Sequence, residues 1–502
     1  MLVIVTLLGS WKETALGPPI LVEVTIYAIG KYSAMKSLIP SLIYKKGSTM
    51  PCLNFRKYLT ALLAVLFIFP ALHNAFAANT GYQADENPAP ESAKEIKSAF
   101  GPEVDEKKKS FFPAFREKMK TLPPFWRDTS LLMHLRTYYL YRDNDDISKN
   151  EAWALGGWLD YKSGLWKNFL QIGLVGYTSQ KLYGPEDRDG TGLLEPGQKS
   201  FSVLGQAYLD LRIIDDLNLR LYRQTFNLPY LNKNDSRMVP NTFEAYALKG
   251  LGLHNTDFII AQVTKMKTRN SSTFDCISEI VDPDYSCKGL TTAGARYTFS
   301  QGSDIGAISL YSWDLWNTFY AEANATWEPS VNTDIRISLQ HTDQRSVGDE
   351  FDGDFDTYVF GGKAAASYQG ALLNFAFSTT GSGSGIRSPY GGYPGYLSLM
   401  LRDFDRADED AWLVGFSYDL KFLGLDGLSF FTNYARGNTP DSGVNASPDQ
   451  EEIDLTVDYR FKSDFLKGVW LRVRGAYLDQ NGHDSIDVKE FRAIINYELP
   501  VL

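Results

Sequence analysis

Residues 451–461 read EEIDLTVDYRF, and this stretch decides the fold class. Apolar or aromatic side chains occupy every second position from Ile453 to Phe461, with polar side chains between them. Successive side chains of a β-strand point to opposite faces, so the alternation predicts a strand with one apolar and one polar face. Residues 411–421 (AWLVGFSYDLK) repeat the pattern in their apolar positions. The chain is therefore predicted to contain amphipathic strands.

Similar stretches recur from residue 130 to the C-terminus, each of roughly ten residues, which is the length at which a tilted strand crosses a bilayer. They occupy residues 131–141, 153–163, 168–178, 201–213, 218–226, 242–252, 257–267, 291–300, 305–314, 319–328, 335–344, 357–368, 371–380, 411–421, 427–436, 452–462, 469–478 and 489–499. An even number of such strands is typical of outer-membrane barrels. We predict an all-β fold over residues 130–502, a transmembrane antiparallel up-and-down β-barrel of about 18 strands.

The connections between these stretches alternate in length. Short turns such as IDDL near Asp215 and LHNT near His254 alternate with long polar loops. The long loops are residues 179–200, 227–241, 268–290 and 381–410. One connection on the long side, about residues 315–318, is short and departs from the pattern. Tight turns on one side and long loops on the other are expected of an outer-membrane barrel.

A large soluble all-β protein is the alternative, because its sheets also alternate. Its buried faces would be apolar, whereas a membrane barrel turns apolar faces to lipid and polar faces to a lumen. Strand length, strand number and loop asymmetry favour the membrane barrel. A mean hydropathy of -0.24 and 14% aromatic residues exclude a bundle of apolar helices that carries most of the chain.

The N-terminal part contains a predicted signal peptide at residues 50–77. Arg56 and Lys57 precede the apolar run YLTALLAVLFIFP, and Ala75-Phe76-Ala77 supplies small residues for cleavage after Ala77. The run has about 13 residues, whereas a membrane-spanning helix needs about 20. Residues 1–49 are interpreted as an upstream extension from a misplaced start codon, with a genuine leader as the alternative. Export to the bacterial outer membrane is the predicted destination.

The expected mature chain is acidic. The net charge is -10, and residues 1–77 contain seven Lys or Arg and two Asp or Glu, so their removal leaves about -15. This charge argues against nucleic acid as a partner. Residues 78–129 are rich in Pro, Lys and Glu and are predicted to be a flexible periplasmic lead-in.

Two of the three cysteines, Cys276 and Cys287, lie in one polar segment of the expected exported protein, whereas Cys52 lies in the signal peptide. A disulfide between them is predicted. A metal site is the alternative, but it lacks nearby His and Cys-x-x-Cys spacing. We predict no cofactor and no metal, although the acidic stretches near Asp187 and Asp349 leave calcium binding open.

Basic side chains fall on the predicted lumen face. These residues are Arg136, Arg212, Arg220, Arg296, Arg336, Arg460, Arg472, Arg474 and Arg492. A column of guanidinium groups offers repeated bidentate sites to a carboxylate. The alternative is that they pair with lumen acids and brace the wall, the candidate acids being Asp210, Glu322, Asp454 and Asp458. For Arg472 and Arg474, in LRVRG, no acid lies on the same short stretch, which favours a selectivity role.

Several stretches, in order, resemble the OprD family of substrate-specific outer-membrane porins. Those at residues 136–143 (RTYYLYRD), 228–244 (LPYLNKNDSRMVPNTFE), 389–398 (PYGGYPGYLS) and 490–500 (EFRAIINYELP) carry the resemblance, which covers residues 130–502. It implies an 18-stranded pore, monomeric or weakly trimeric, surrounded by bilayer and lipopolysaccharide.

The resemblance also implies a constriction by the third and seventh external loops and a basic ladder, including Arg472 and Arg474, that guides carboxylates. The implied constriction residues are Tyr230, Asp235, Ser236 and Arg237 in the third loop and Arg387, Ser388 and Tyr390 in the seventh. Some relatives that admit basic amino acids place an acid in the seventh-loop constriction, but residues 381–398 contain none. This favours an anionic or neutral solute.

The predicted function is passive, selective diffusion of small polar solutes, particularly those with a carboxylate. A pore for neutral oligosaccharides and an outer-membrane barrel enzyme are the alternatives. The run 381–385 (GSGSG) has Gly at its centre and does not match G-x-S-x-G, and no His adjoins a recognisable nucleophile motif. An energised receptor needs a folded plug and about 22 strands. We therefore predict that the chain is not an enzyme.

Overall fold

The computed structural model describes residues 112–145, 147–330, 332–462, 466, 468–481 and 486–502. The predicted extension, signal peptide and most of the predicted lead-in lie outside the described residues. The end of the lead-in forms two short helices, α1 (Pro113–Met119) and α2 (Pro124–Arg127), each with Pro at its first turn. Proline suits this position because its missing N–H has no partner there. Among the described residues, no helix is long and apolar enough to span a membrane.

Eighteen long antiparallel strands follow in chain order. They are β1 (Ser130–Asn144), β2 (Ser148–Lys162), β3 (Leu170–Tyr183), β4 (Phe201–Ile214), β5 (Leu217–Gln224), β6 (Thr242–Leu253), β7 (Thr256–Lys267), β8 (Leu290–Ser300), β9 (Ser303–Ser312), β10 (Trp316–Ser330), β11 (Thr333–Ser346), β12 (Asp356–Tyr368), β13 (Ala371–Thr380), β14 (Asp410–Asp419), β15 (Leu428–Asn438), β16 (Asp449–Arg460), β17 (Val469–Asn481) and β18 (Val488–Pro500). Each pairs with the next, and β18 pairs with β1 from Leu132–Pro500 to Asp143–Lys489. The predicted closed barrel of 18 strands is confirmed.

The two faces of the barrel wall distinguish a membrane barrel from a soluble sheet protein. On β16, Ile453 and Leu455 point outward and are 49% and 48% exposed, whereas Asp454 and Thr456 point inward and are buried. A soluble sheet would bury the apolar face instead. The apolar face of this barrel is therefore outside, where lipid surrounds a barrel of this kind, and a polar face lines the lumen.

The long connections all lie on one side of the barrel, which we call the outer side. In chain order the outer loops used below are L1 (145–147), L3 (225–241), L4 (268–289), L6 (347–355) and L7 (381–409). On the other side several turns have two residues, such as 254–255, where His254 and Asn255 have φ of 53° and 62°. Positive φ at both positions is the geometry of a tight hairpin turn. L1 is shorter than expected because β1 and β2 both extend beyond their predicted ends.

The main hydrophobic core lies inside the barrel. L3 contributes Phe226, Tyr230 and Leu231, and L7 contributes Tyr390 and Tyr393. These side chains pack with inward-facing residues of the strands, so both loops fold into the lumen instead of projecting outward. The lumen therefore contains an apolar core built partly from these two loops.

Candidate pore constriction and basic lumen wall

L3 and L7 are joined at Asn232. Its Nδ2 donates to Gly392 O at 2.9 Å, and its Oδ1 accepts from Gly392 N at 2.7 Å. The backbone N–H of Asn232 also donates to Tyr390 O at 3.2 Å. A Cβ at Gly391 would lie 2.7 Å from Asn232 N, so only glycine permits this approach. The two loops thus form one unit in the lumen.

Aromatic packing supports this unit from the barrel wall. Tyr230 is 2% exposed, donates or accepts a hydrogen bond with Thr342 Oγ1 at 2.8 Å, and lies 5.9 Å from the Tyr393 ring centroid. Tyr390 is 3% exposed and stacks on Trp316. The burial of Tyr230 and Tyr390 fits a role in holding the loops and leaves little side-chain surface for contact with a solute.

The other candidate residues of L7 lie toward L6. Arg387 Nε donates to Asp352 at 2.5 Å, and its guanidinium carbon lies 3.5 Å from the Phe355 ring centroid. Ser388 is half-buried. Asp352 belongs to the acidic stretch considered for calcium, and here it binds an arginine. Among the described residues, no group of three or more His, Cys, Asp or Glu is placed to hold a metal ion.

The candidate residues of L3 lie against β1. Arg136 Nη1 donates to Asp235 at 2.8 Å, and Tyr138 Oη donates to Ser236 O. Arg237 is buried and its Nε donates to Thr191 O at 2.8 Å. Burial, reinforced by the Arg492 charge, lowers the pKa of Arg237 to about 9, so its guanidinium stays charged at neutral pH. The predicted constriction residues therefore form two groups, one near β1 and one near L6.

The nine predicted ladder arginines divide between two arcs of the wall. Arg136, Arg460, Arg472, Arg474 and Arg492 lie on the contiguous strands β16, β17, β18 and β1, which we call the basic arc. Arg212, Arg220, Arg296 and Arg336 lie on β4, β5, β8 and β11. Residue numbers alone do not reveal the two arcs. Closure of the barrel pairs β18 with β1 and so makes residues from the two ends of the barrel sequence neighbours.

Arg220, Arg296 and Arg472 pair with acids that the bracing alternative names, and Arg136, Arg212 and Arg492 pair with other acids. Arg220 Nε donates to Asp210 at 2.8 Å, and Arg296 Nη2 lies 3.0 Å from Glu322. Arg296 also binds Asp304 at 2.9 Å.

The third pair joins neighbouring strands. Arg472 donates to both oxygens of Asp458 at 2.7 and 2.9 Å. No acid lies on the same short stretch of sequence as Arg472, but Asp458, one of the candidate bracing acids, stands directly opposite it on β16. This ion pair supports the bracing alternative for Arg472.

Arg474 and Arg492 are neighbours across the β17–β18 ladder. Both point into the lumen and are 8% and 3% exposed. Arg474 Nε donates to Thr456 Oγ1 at 2.9 Å, whereas Arg492 pairs with Glu490 and donates to Met400 O of L7. Like charges directly opposite each other destabilise a strand pair.

The remaining ladder residues lie nearer the short-turn side or on the second arc. Arg460 is exposed, with its guanidinium 5.4 Å from the Trp470 ring centroid. Arg212 is exposed and lies 3.7 Å from Asp215 in the adjoining turn. Arg336 is half-buried on the lumen face of β11.

Acids are present in L7 beyond the stretch 381–398. Asp403 accepts a hydrogen bond from Ser398 Oγ at 2.5 Å, and Asp405 lies two residues further along. Burial raises the pKa of Asp405 well above its usual range, and the charges of Asp403 and Glu409 raise it further. The charge of L7 therefore includes acids outside residues 381–398. The raised pKa of Asp405 weakens the negative charge that this residue contributes.

Sequence reasoning missed three arginines near the outer end of the basic arc. Arg142 has the same lumen-facing parity as Arg136 and could have been found by period two. Arg269 of L4 and Arg402 of L7 lie in loops, where no periodicity points to them. Together with Arg237 and Arg492, they make the wall near β1 and β18 strongly basic.

L4 is closed by a disulfide between Cys276 and Cys287, whose Cα atoms are 5.3 Å apart. The adjoining Ile277 is fully buried in the core formed with L3 and L7. Tyr285 of L4 packs on Phe351 of L6, with ring centroids 5.4 Å apart. The disulfide-closed loop therefore covers the outer side of the aromatic core.

A family model described as "outer membrane porin, OprD family" matches residues 123–501. No curated protein sequence matches the chain.

Solved structures of similar architecture come from Pseudomonas. OccK9 (OpdG) of Pseudomonas aeruginosa is 27% identical with a TM-score of 0.69, covering 75% of this chain and 100% of that one. A BenF-like porin of Pseudomonas fluorescens Pf-5 is 21% identical with a TM-score of 0.68, covering 75% and 100%. OpdK of Pseudomonas aeruginosa, solved with vanillate, is 22% identical with a TM-score of 0.67, covering 74% and 99%.

Proposed function

Since this chain belongs to the OprD family of outer membrane porins, we propose that it is a passive, selective pore for small carboxylate-bearing solutes. Amino acids, organic or aromatic acids and small peptides are the solute classes that fit. The pore works in the outer membrane as a monomer or weak trimer, surrounded by bilayer and lipopolysaccharide.

The observation that carries the proposal is the opposition of Arg474 and Arg492 on the lumen face. Arg492 already pairs with Glu490 in the wall, and the two guanidinium groups place N–H donors side by side on the lumen face, where a solute carboxylate gains charge-assisted hydrogen bonds. In a narrow channel with low-dielectric walls, such local charge outweighs the net charge of the chain. A carboxylate is therefore favoured over a cation along this wall.

The route follows from the arrangement of the basic arc. Arg492 contacts L7 through Met400 O, and Arg136 contacts L3 through Asp235. The arc thus touches both inward-folded loops and continues past them to Arg472 and Arg460 on the short-turn side. A solute that passes the loops meets further guanidinium groups at successive heights, so its lost hydration is replaced in steps.

The test is the reversal potential of the reconstituted pore in a salt gradient. Arg474→Gln should lower the anion-to-cation permeability ratio about fivefold, which corresponds to roughly 1 kcal/mol of lost attraction. Arg436→Gln is the matched control, because Arg436 is on the outer face of β15 and pairs with Glu451 at 2.8 Å. The proposal would be contradicted if Arg474→Gln left unchanged both the anion-to-cation permeability ratio and the uptake of benzoate, a small aromatic carboxylate.

The proposal includes export through the signal peptide at residues 50–77. Ala75 and Ala77 provide the small side chains that signal peptidase requires, so the mature protein should begin at Ala78. Mass spectrometry of protein from purified outer membranes measures the N-terminus directly. Peptides from residues 1–49 in that material would show that the upstream segment is retained.

A further inference from the structure

A small pocket opens at the outer end of the basic arc. It has a volume of about 260 Å³ and lies among the ends of β1, β2 and β18 and the inward-folded L7. Its polar lining comes from Arg142, Asn144, Ser148 and Arg402, and its apolar lining includes Leu401 and Val488. The pocket is above the Arg474–Arg492 level, because Arg142 pairs in register with Glu490, two residues nearer the outer end than Arg492.

We propose that this pocket is an entry subsite that captures small monocarboxylates with an apolar body before they reach the constriction. The inference rests on the proposed function and adds a site outside L3 and the Arg474–Arg492 pair. Arg142 and Arg402 supply the charge, and Leu401 and Val488 form part of the wall that the apolar body contacts.

Several arginines surround the single buried carboxylate of Glu490. The buried carboxylate of Glu490 pairs with Arg142 at 2.6 Å and with Arg492. Arg402 Nη1 has only Leu401 O, at 3.5 Å, and Arg269 Nη1 donates to Ser236 Oγ at 2.6 Å. Among the described residues, no carboxylate lies within ion-pair distance of Arg237, Arg269 or Arg402. Neutral oxygens satisfy their N–H groups but do not balance their charge.

These arginines repel one another. Enclosure by protein lowers the pKa values of Arg269 and Arg402. The charge of Arg492 lowers the pKa of Arg269 further, while Glu490 opposes that change; for Arg402, Glu452 opposes the lowering and Arg142 adds to it. Arginine stays charged despite such shifts. An entering anion would therefore relieve existing repulsion and gain bidentate hydrogen bonds.

An acid of β16 holds the backbone of L7 at the pocket. Glu452 accepts the backbone N–H groups of Leu401 and Arg402, each at 2.9 Å. This carboxylate fixes the L7 backbone at the pocket, while the Arg402 side chain lines the pocket. The arginine is thus positioned by its main chain and its guanidinium stays available to a ligand.

The lining selects among anions. The apolar side chains suit a hydrocarbon or aromatic body, whereas inorganic phosphate would leave them without a partner. The small volume limits the ligand to a carboxylate with a body of about one ring. Benzoate is therefore a suitable probe, and benzamide is its neutral counterpart.

The experiment measures block of single-channel current by benzoate added to one side at a time. Arg402→Gln should raise the half-blocking concentration from the outer side about tenfold, as expected for loss of one charge-assisted hydrogen bond. Block from the other side should change by less than about twofold, because Arg474 and Arg492 are intact. Arg402→Lys keeps the charge and should restore part of the affinity.

Arg345→Gln on β11 is the control, because this exposed arginine pairs with Asp343 away from the pocket. Normal outer-side block in Arg402→Gln, or an equal loss in Arg345→Gln, overturns the subsite while leaving the selective pore intact. No block of the wild-type pore from either side overturns both proposals. If benzamide blocks the current as strongly as benzoate does, the pocket does not recognise charge. If inorganic phosphate blocks as strongly as benzoate does, the apolar wall does not select among anions.

Discussion

Arg472 shows why a lumen arginine cannot be assigned to transport from its position alone. Its bidentate pair with Asp458 places opposite charges side by side, and both side chains are largely buried in the wall. A neutral pair braces adjacent strands but contributes little field to the lumen. Arg474, by contrast, faces another arginine across the ladder.

This difference predicts the outcome of a double-mutant cycle. Arg472→Ala leaves Asp458 unpaired and should lower the anion-to-cation permeability ratio about fivefold, as for any loss of roughly 1 kcal/mol. Arg472→Ala combined with Asp458→Ala removes both charges and should return the ratio close to the wild-type value. Reversal potentials of the three proteins provide the measurement. A double mutant as cation-preferring as the single mutant would show that Arg472 acts on ions directly.

Among the elements, the strands were predictable and the inward loops were not. Period-two alternation located all the long strands, because it records which face of each strand meets lipid. The pairing of Arg472 with Asp458 depends on register, which no local pattern contains. The position of L3 depends on distant partners such as Gly392 and Thr342, so sequence reasoning reached it only through family resemblance.

The L3–L7 junction should control how open the pore is. Asn232→Ala removes two hydrogen bonds to Gly392, a loss of about 1 kcal/mol each. L7 should then move more freely, and single-channel conductance and its noise should increase while the barrel stays folded. Asn255→Gly in a turn on the opposite side is the control, because glycine adopts the φ of 62° at this position without strain. Unchanged noise in Asn232→Ala would mean that aromatic packing alone holds the loops.

The disulfide of L4 should matter to the loop more than to the barrel. Cys276 and Cys287 should resist alkylation until a reductant is added. The Cys276→Ser, Cys287→Ser double variant should become sensitive to protease within residues 268–289, whereas its heat-resistant migration on gels should persist. Barrel hydrogen bonds do not depend on the loop. Free thiols in protein isolated without reductant would contradict the pairing.

At the scale of the molecule, the sign of the charge differs between the whole chain and the basic arc. The net charge is -10, yet β16–β18, β1 and the adjoining loops concentrate arginines toward one side of the lumen. Composition argues against nucleic acid as a partner but does not predict the ion preference of the pore, since closure of the barrel decides which charges share the lumen. Resemblance and alternation together predicted the barrel, whereas only the folded chain shows which arginines are neighbours on the lumen wall.

The molecule-wide consequence is a dependence of selectivity on salt. If guanidinium charges attract anions through the lumen, screening must weaken that attraction, because the Debye length falls from about 10 Å at 0.1 M to about 3 Å at 1 M salt. The anion-to-cation permeability ratio from reversal potentials should therefore fall toward unity as the mean KCl concentration rises. The permeability ratio of Arg474→Gln should be lower at low salt and should change less over the same range, because this variant has less lumen charge to screen. Heat-resistant migration verifies that each protein is folded. A wild-type ratio that is equally high at 0.1 and 1 M would contradict long-range attraction and leave contact between carboxylate and guanidinium as the source of selectivity.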